Sequence, residues 1–181
     1  GTEFKSTEYR KKFGIKGRYR IVPLNFGKYS DKKIFDYEEV CIENDNISFK
    51  EYLELRGLAL MVETLINGRP FDEFFIYAES MGISRTDLLR RLHENLKNAP
   101  QKIKKIYKEF IDETKNELWT SEKKLVDHYT DEKNYKKLVE GKVGGNLIYK
   151  YKAKSIVYSS KEWTSYLSNE LKTLINKNFK Q

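Results

Sequence analysis

Apolar and polar positions alternate near the N-terminus of this chain and then switch to the helical spacing for most of its length. Residues 19–29 (YRIVPLNFGKY) and 33–43 (KIFDYEEVCIE) are rich in aromatic and β-branched side chains, with Ser30-Asp31-Lys32 between them, the pattern of two strands joined by a turn. In the second run Ile34, Val40 and Ile42 share one face, and Phe35, Tyr37 and Cys41 the other, because successive side chains of a strand point to opposite sides. A lone hairpin is marginal in water, so this one is expected to pack on helices or on a partner.

From residue 47 the period changes. Ser48 with Glu51 three residues on forms a capping box, and Ile47 is placed to staple onto Tyr52. The helix predicted there runs to Ile66, where Asn67-Gly68 ends it. Its middle, Leu58-Ala59-Leu60-Met61-Val62, is apolar all round, as in a helix surrounded by other structure. Arg69-Pro70, followed by Asp72 and Glu73, opens a short helix closed at Gly82. Ser84 with Asp87 opens another, whose Leu88, Leu89, Leu92 and Leu96 face inward. Pro100 starts the longest amphipathic helix, with Ile103, Ile106, Tyr107, Phe110, Ile111, Thr114 and Leu118 on one stripe. Shorter helices are predicted at 120–129 and 131–140, and a last one from Ser159 or Ser160.

The segment 146–158, NLIYKYKAKSIVY, fits two periods. As a strand it carries a row of Lys150, Lys152 and Lys154; as a helix it gathers Leu147, Ile148, Tyr151, Ser155 and Tyr158 on one face. Asn146 as an N-cap, and the lack of a nearby partner strand, favour the helix. The expected fold is therefore mainly α: a helical domain of about seven or eight helices with an N-terminal β-hairpin. An arm and hairpin occupy residues 1–46 and the helical domain residues 47–181, in one compact unit.

The 181 residues, 39% hydrophobic and 34% charged, have the mix of a globular protein able to bury a core without metal or disulfide support. One cysteine, Cys41, supplies neither an internal disulfide nor a thiolate cluster. No apolar run reaches membrane-spanning length and no apolar signal core opens the chain, so the expected location is cytoplasmic, with no membrane partner. The opening on Gly1, with a basic and polar stretch behind it, leads us to expect a piece of a longer protein.

The net charge of +8 is uneven. Residues 1–96 hold 16 basic and 16 acidic side chains, whereas residues 97–181 hold 19 lysines, no arginine and 11 acids. Such a half is the footprint of a nucleic-acid site, and a lysine-rich helical nucleic-acid-binding module is the alternative reading of this chain. Phosphate and base recognition favours arginine, however, and lysine outnumbers arginine here by 27 to 8. A solvated lysine-rich surface is the simpler account, and it disfavours nucleic acid as a partner.

Candidate chemistry is sparse. Asp36 and Glu38 lie on one face of the second strand, and Glu39 and Glu43 on the other; paired carboxylates hold a cation or act as acid and base in the functional reading, but neither pair has a histidine or loop ligand nearby, and charges guarding an edge strand are the simpler account. Arg56 and Glu63, two turns apart on the central helix, offer an anion or substrate contact, or an ion pair with each other or a neighbour. His93 and His128 fall on separate helices with no H-E-x-x-H spacing. A nucleophilic pair of Cys41 with a histidine forms only if the fold brings them together, which defines a third reading, a small hydrolase. In Gly141-Lys142-Val143-Gly144-Gly145 before Asn146, glycines lead into a helix start and cradle an anion in the functional reading. The run lacks Walker spacing, and a plain turn is the simpler account; Lys142, Gly144, Gly145 and Asn146 are its anion-contact candidates.

Three stretches add a resemblance: R-Y-R-I-V-P-L-N-F-G-K-Y at 18–29, I-F-D-Y-E-E-V-C-I at 34–42 and I-S-F-K-E-Y-L-E-L-R-G-L at 47–58. Together they resemble the region that follows the catalytic barrel in cobalamin-binding radical S-adenosylmethionine (radical SAM) enzymes, where a hairpin ending in an acidic run leads into a capped helix containing an arginine, as Arg56 does here. The resemblance implies a non-catalytic C-terminal accessory domain that caps the barrel or shapes substrate or partner binding. Arg56, Glu63, Asp36, Glu38 and Glu39 then become candidate contacts to substrate or partner. The family's three cysteines at C-x-x-x-C-x-x-C spacing are absent, so no catalytic residue carries over and no cofactor is expected in this chain. The parent is expected to use a 4Fe–4S cluster, S-adenosylmethionine and cobalamin in its missing N-terminal catalytic domains, which are the expected partners, beside self-association through the hairpin.

Overall fold

A computed structural model of the chain describes residues 3–178. The fold is mainly α, with eight α-helices and one antiparallel β-hairpin among the described residues. In chain order these are α1 (Thr7–Lys12), β1 (Lys16–Tyr29), β2 (Lys32–Glu43), α2 (Phe49–Leu65), α3 (Asp72–Ser80), α4 (Arg85–Glu94), α5 (Gln101–Asn116), α6 (Glu122–Thr130), α7 (Glu132–Val139) and α8 (Leu147–Asn178). Among the described residues no helix is long and apolar enough to cross a membrane. The chain divides into two compact units, one of residues up to Leu55 with Asp112–Leu147, the other of Arg56–Ile111 with the residues from Ile148 onward.

In the first unit the hairpin rests on two helices. Ile21 of β1 and Phe35 of β2 are buried with Leu125 and Tyr129 of α6 and Leu138 of α7, which supplies the apolar cover that two strands alone lack. Register places Arg20 opposite Glu38 and Ile21 opposite Tyr37, then slips before Phe26 meets Phe35. The slip sets Val22-Pro23-Leu24-Asn25 against Asp36 alone, and a bulge is where a strand accommodates a proline with no N–H to give. Leu24 emerges from it with φ 65° and 83% exposed. Beyond the hairpin, Trp119 extends the sheet by one bridge: the Tyr19 N–H donates to the Trp119 carbonyl at 2.9 Å, and the Trp119 N–H returns a bond of 2.7 Å.

The cap at Ser48 forms where the sequence places it. The Ser48 N–H and hydroxyl both donate to the Glu51 carboxylate (2.8 and 2.7 Å) and the Glu51 N–H donates back to Ser48 Oγ at 3.3 Å, a completed capping box. Asp131 caps α7, whereas α6 starts two residues later than predicted, at Glu122, with Ser121 as its cap. Helix α1 is an element the sequence pattern missed: it has six residues, is capped by Ser6, and its Tyr9 ring meets the tilted rings of Phe4 and Phe13 on either side. Two turns are too short for a 3.6-residue period to declare itself.

The second unit is a helical core. Met61 and Leu65 of α2, Phe75 of α3, Leu88 and Leu92 of α4, Ile103 of α5 and Trp163 and Leu167 of α8 pack into one buried cluster. Ser84 caps α4, and Gly82, at φ +74°, ends α3 as predicted. The ambiguous segment 146–158 is helical from Leu147 and continues into the last predicted helix as α8, with a kink at Ser159 (φ −139°) whose hydroxyl donates to the Ser155 carbonyl at 2.7 Å. The lysine row of the strand alternative is therefore absent. Residues two apart on a helix do not face the same side.

Candidate functional site

The first unit carries an open groove of about 690 Å³ across the hairpin face that bears Tyr19, Tyr37, Glu39 and Cys41. Phe4, Lys5 and Arg10 from the N-terminal arm line it together with Glu122 in the first turn of α6. Arg10 grips the Glu39 carboxylate with two hydrogen bonds, of 2.6 and 2.9 Å. Gly17, on the neighbouring strand, makes room for that carboxylate, since a Cβ there would stand 1.9 Å from Glu39 Oε1. The Arg10 guanidinium holds the Glu39 carboxyl below the usual carboxylate range, and Glu39 raises Arg10 in return.

The floor of the groove is aromatic. Tyr19 and Tyr37 meet edge to face with ring centroids 6.2 Å apart, and the Tyr37 hydroxyl donates to Glu122 Oε2 at 2.9 Å. Both phenols are pushed up: Tyr37 chiefly by its bond to Glu122, Tyr19 by burial and then by the charges of Glu39 and Glu122. Cys41 is exposed, its thiol directed to the Glu43 carbonyl at 3.5 Å, and no histidine lines the groove around it.

Glu38 and Glu43 have cations of their own. Arg20 bridges Glu38 (2.7 Å) and Glu117 (3.2 Å), which directly follows α5, Lys16 pairs with Glu43, and Asp36 stands exposed in the bulged stretch. In the glycine run, Lys142 turns to Glu140 at 2.7 Å, and Gly144, at φ +72°, lies against Leu138. Gly145 has open space around it, and Asn146 precedes the first turn of α8.

Arg56 and Glu63 belong to the second unit. They do not pair with each other: Glu63 accepts from Lys152 of α8 and from Asn67, both at 2.6 Å, while the Arg56 guanidinium lies over the Phe110 ring at 5.7 Å with its Nε buried and unbonded. Lys154 pairs with Glu109, so Lys152 and Lys154 are both matched by acids. His93 Nε2 lies 3.3 Å from the Tyr107 hydroxyl. In the first unit, the His128 ring meets Trp119 at a tilt with centroids 4.6 Å apart, and burial pushes its pKa down. Among the described residues no three His, Cys, Asp or Glu side chains gather as metal ligands.

The groove thus takes in Glu38 and Glu39 from the sequence candidates. Asp36 and the residues of the glycine run are not among those that line it, and Arg56 and Glu63 lie in the other unit. Sequence reasoning missed Arg10, Tyr19, Gly17 and Glu122. The one local signal was the mixing of basic and aromatic residues in Gly17-Arg18-Tyr19-Arg20. Compared with protein-family models and with characterised proteins, the chain matches none.

Proposed function

We propose that the chain is a non-catalytic C-terminal accessory domain of a cobalamin-dependent radical SAM enzyme, where it caps the catalytic barrel or shapes the binding of substrate or partner. The reading is carried by the hairpin that bears the resemblance. In its turn half Leu24, Tyr29 and Ile34 are 83, 70 and 50% exposed, large apolar side chains held in water on a structured element, as at a surface meant to be covered. Cys41 offers one thiolate where a 4Fe–4S cluster takes about four ligands. The residues present do not fit that cluster, and no reaction step is assigned to them; cluster, S-adenosylmethionine and cobalamin belong to the parent's other domains.

In the full-length protein, deleting this segment is expected to leave iron content and S-adenosylmethionine binding in place while product formation is lost. A truncated enzyme that turns over like the intact one, or a parent without the C-x-x-x-C-x-x-C cysteines, overturns the reading. The separate chain covers the same apolar surface by self-association through the hairpin. Light scattering is expected to give a mass that rises with concentration, and Leu24→Asp to hold the chain monomeric. A native chain that stays monomeric throughout the range removes self-association from the reading.

A further inference from the structure

We infer that the groove over Tyr19 and Tyr37 recognises a cationic side chain, arginine or lysine, of a partner polypeptide. The inference rests on the groove alone and stands apart from the family reading. Its first support is a carboxylate with no ion-pair partner of its own. Glu38, Glu39 and Glu43 each have a cation, from Arg20, Arg10 and Lys16. Among the described residues no cation lies within ion-pair distance of Glu122, whose hydrogen bond comes from the neutral Tyr37 hydroxyl. Neither cation of the groove pairs with Glu122: Arg10 is bonded to Glu39, and Lys5 makes no ion pair with the Glu122 carboxylate.

The second support is the aromatic floor beside that charge. A cation is drawn to the face of a tyrosine ring within about 6 Å of its centroid, and two rings set edge to face present surfaces at an angle to one another. The Glu122 carboxylate, hydrogen-bonded to one of the two rings, favours a cation in the same place. Volume is sufficient, since about 690 Å³ falls within the range of side-chain and small-ligand sites. A guanidinium also matches a carboxylate with its planar fork. A hard metal ion would instead require several converging oxygens, and here one carboxylate is free of a cation.

The test titrates the isotopically labelled chain with N-acetyl-arginine amide, N-acetyl-lysine amide and N-acetyl-citrulline amide, the last keeping the shape of arginine without its charge. The two charged probes are expected to shift the amide resonances of Tyr19, Tyr37 and Glu122 in the nuclear magnetic resonance spectrum, and the citrulline probe to leave them unmoved. Glu122→Gln is expected to weaken binding about fivefold, the upper range for an exposed charge pair, with an unchanged thermal melt. Tyr37→Leu, which removes one ring face, weakens it by about the same factor. Equal binding of citrulline, absence of groove shifts at millimolar probe, or a Glu122→Gln chain that binds as tightly as the original each overturns the inference.

Discussion

Phe110→Ala is expected to lower the unfolding free energy by about 3–5 kcal/mol, a large share of the reserve of an ordinary domain. Phe110 is fully buried on the inward stripe of α5. Its ring meets Tyr151 of α8 edge to face at 5.5 Å, and the Arg56 guanidinium lies over it. Truncation removes the transfer free energy of the ring, leaves a cavity between helices that relax only in part, and cancels an aromatic pair that contributes about 0.5–1.5 kcal/mol beyond its area. It also takes the ring from beneath a guanidinium whose Nε is buried without a hydrogen bond. Phe110→Leu, which keeps most of the volume, is expected to cost about 1 kcal/mol. Urea unfolding followed by helical circular dichroism measures both, and an Ala variant within about 1 kcal/mol of the original would show that this region repacks freely around the missing ring.

How far the fold could be read before the structure depended on the range of the interaction that fixes each element. Ser48 and Glu51 are three residues apart, the α5 stripe repeats within two turns, and Gly82 ends α3 at its own position. Helix starts, stops and inward faces are local matters, and they fall where the pattern puts them. The groove is not local. Arg10 reaches Glu39 across 29 residues and Tyr37 reaches Glu122 across 85, and no spacing rule connects such pairs. The same limit explains Arg56 and Glu63. Seven residues apart on one helix they look like partners, but Lys152 arrives from α8 and takes the carboxylate. Acids on the hairpin were legible as a charged edge. Which cation each would receive was set by α1 and the opposite strand.

Gly144→Ala is expected to cost about 2 kcal/mol, and Gly145→Ala, one residue on, less than about 0.5 kcal/mol. Two effects combine at Gly144. Its φ of +72° lies in the left-handed region, where a side chain costs about 1–2 kcal/mol. A Cβ there would also stand 2.4 Å from Leu138 Cδ2, and Leu138 is itself 2% exposed in the core beneath the hairpin, so it has little freedom to withdraw. At Gly145 a Cβ meets nothing within 4 Å. The contrast also decides what the run 141–145 is for. An anion cradle needs close backbone approach across the whole loop, so both substitutions would then weaken phosphate binding with little effect on melting. A turn that tucks one glycine under Leu138 predicts the reverse, a lower melting temperature for Gly144→Ala alone and no stabilisation of the native chain by phosphate. Thermal melts of the three proteins with and without inorganic phosphate separate the two, and a phosphate-dependent rise in the native chain that both variants lose would restore the anion site.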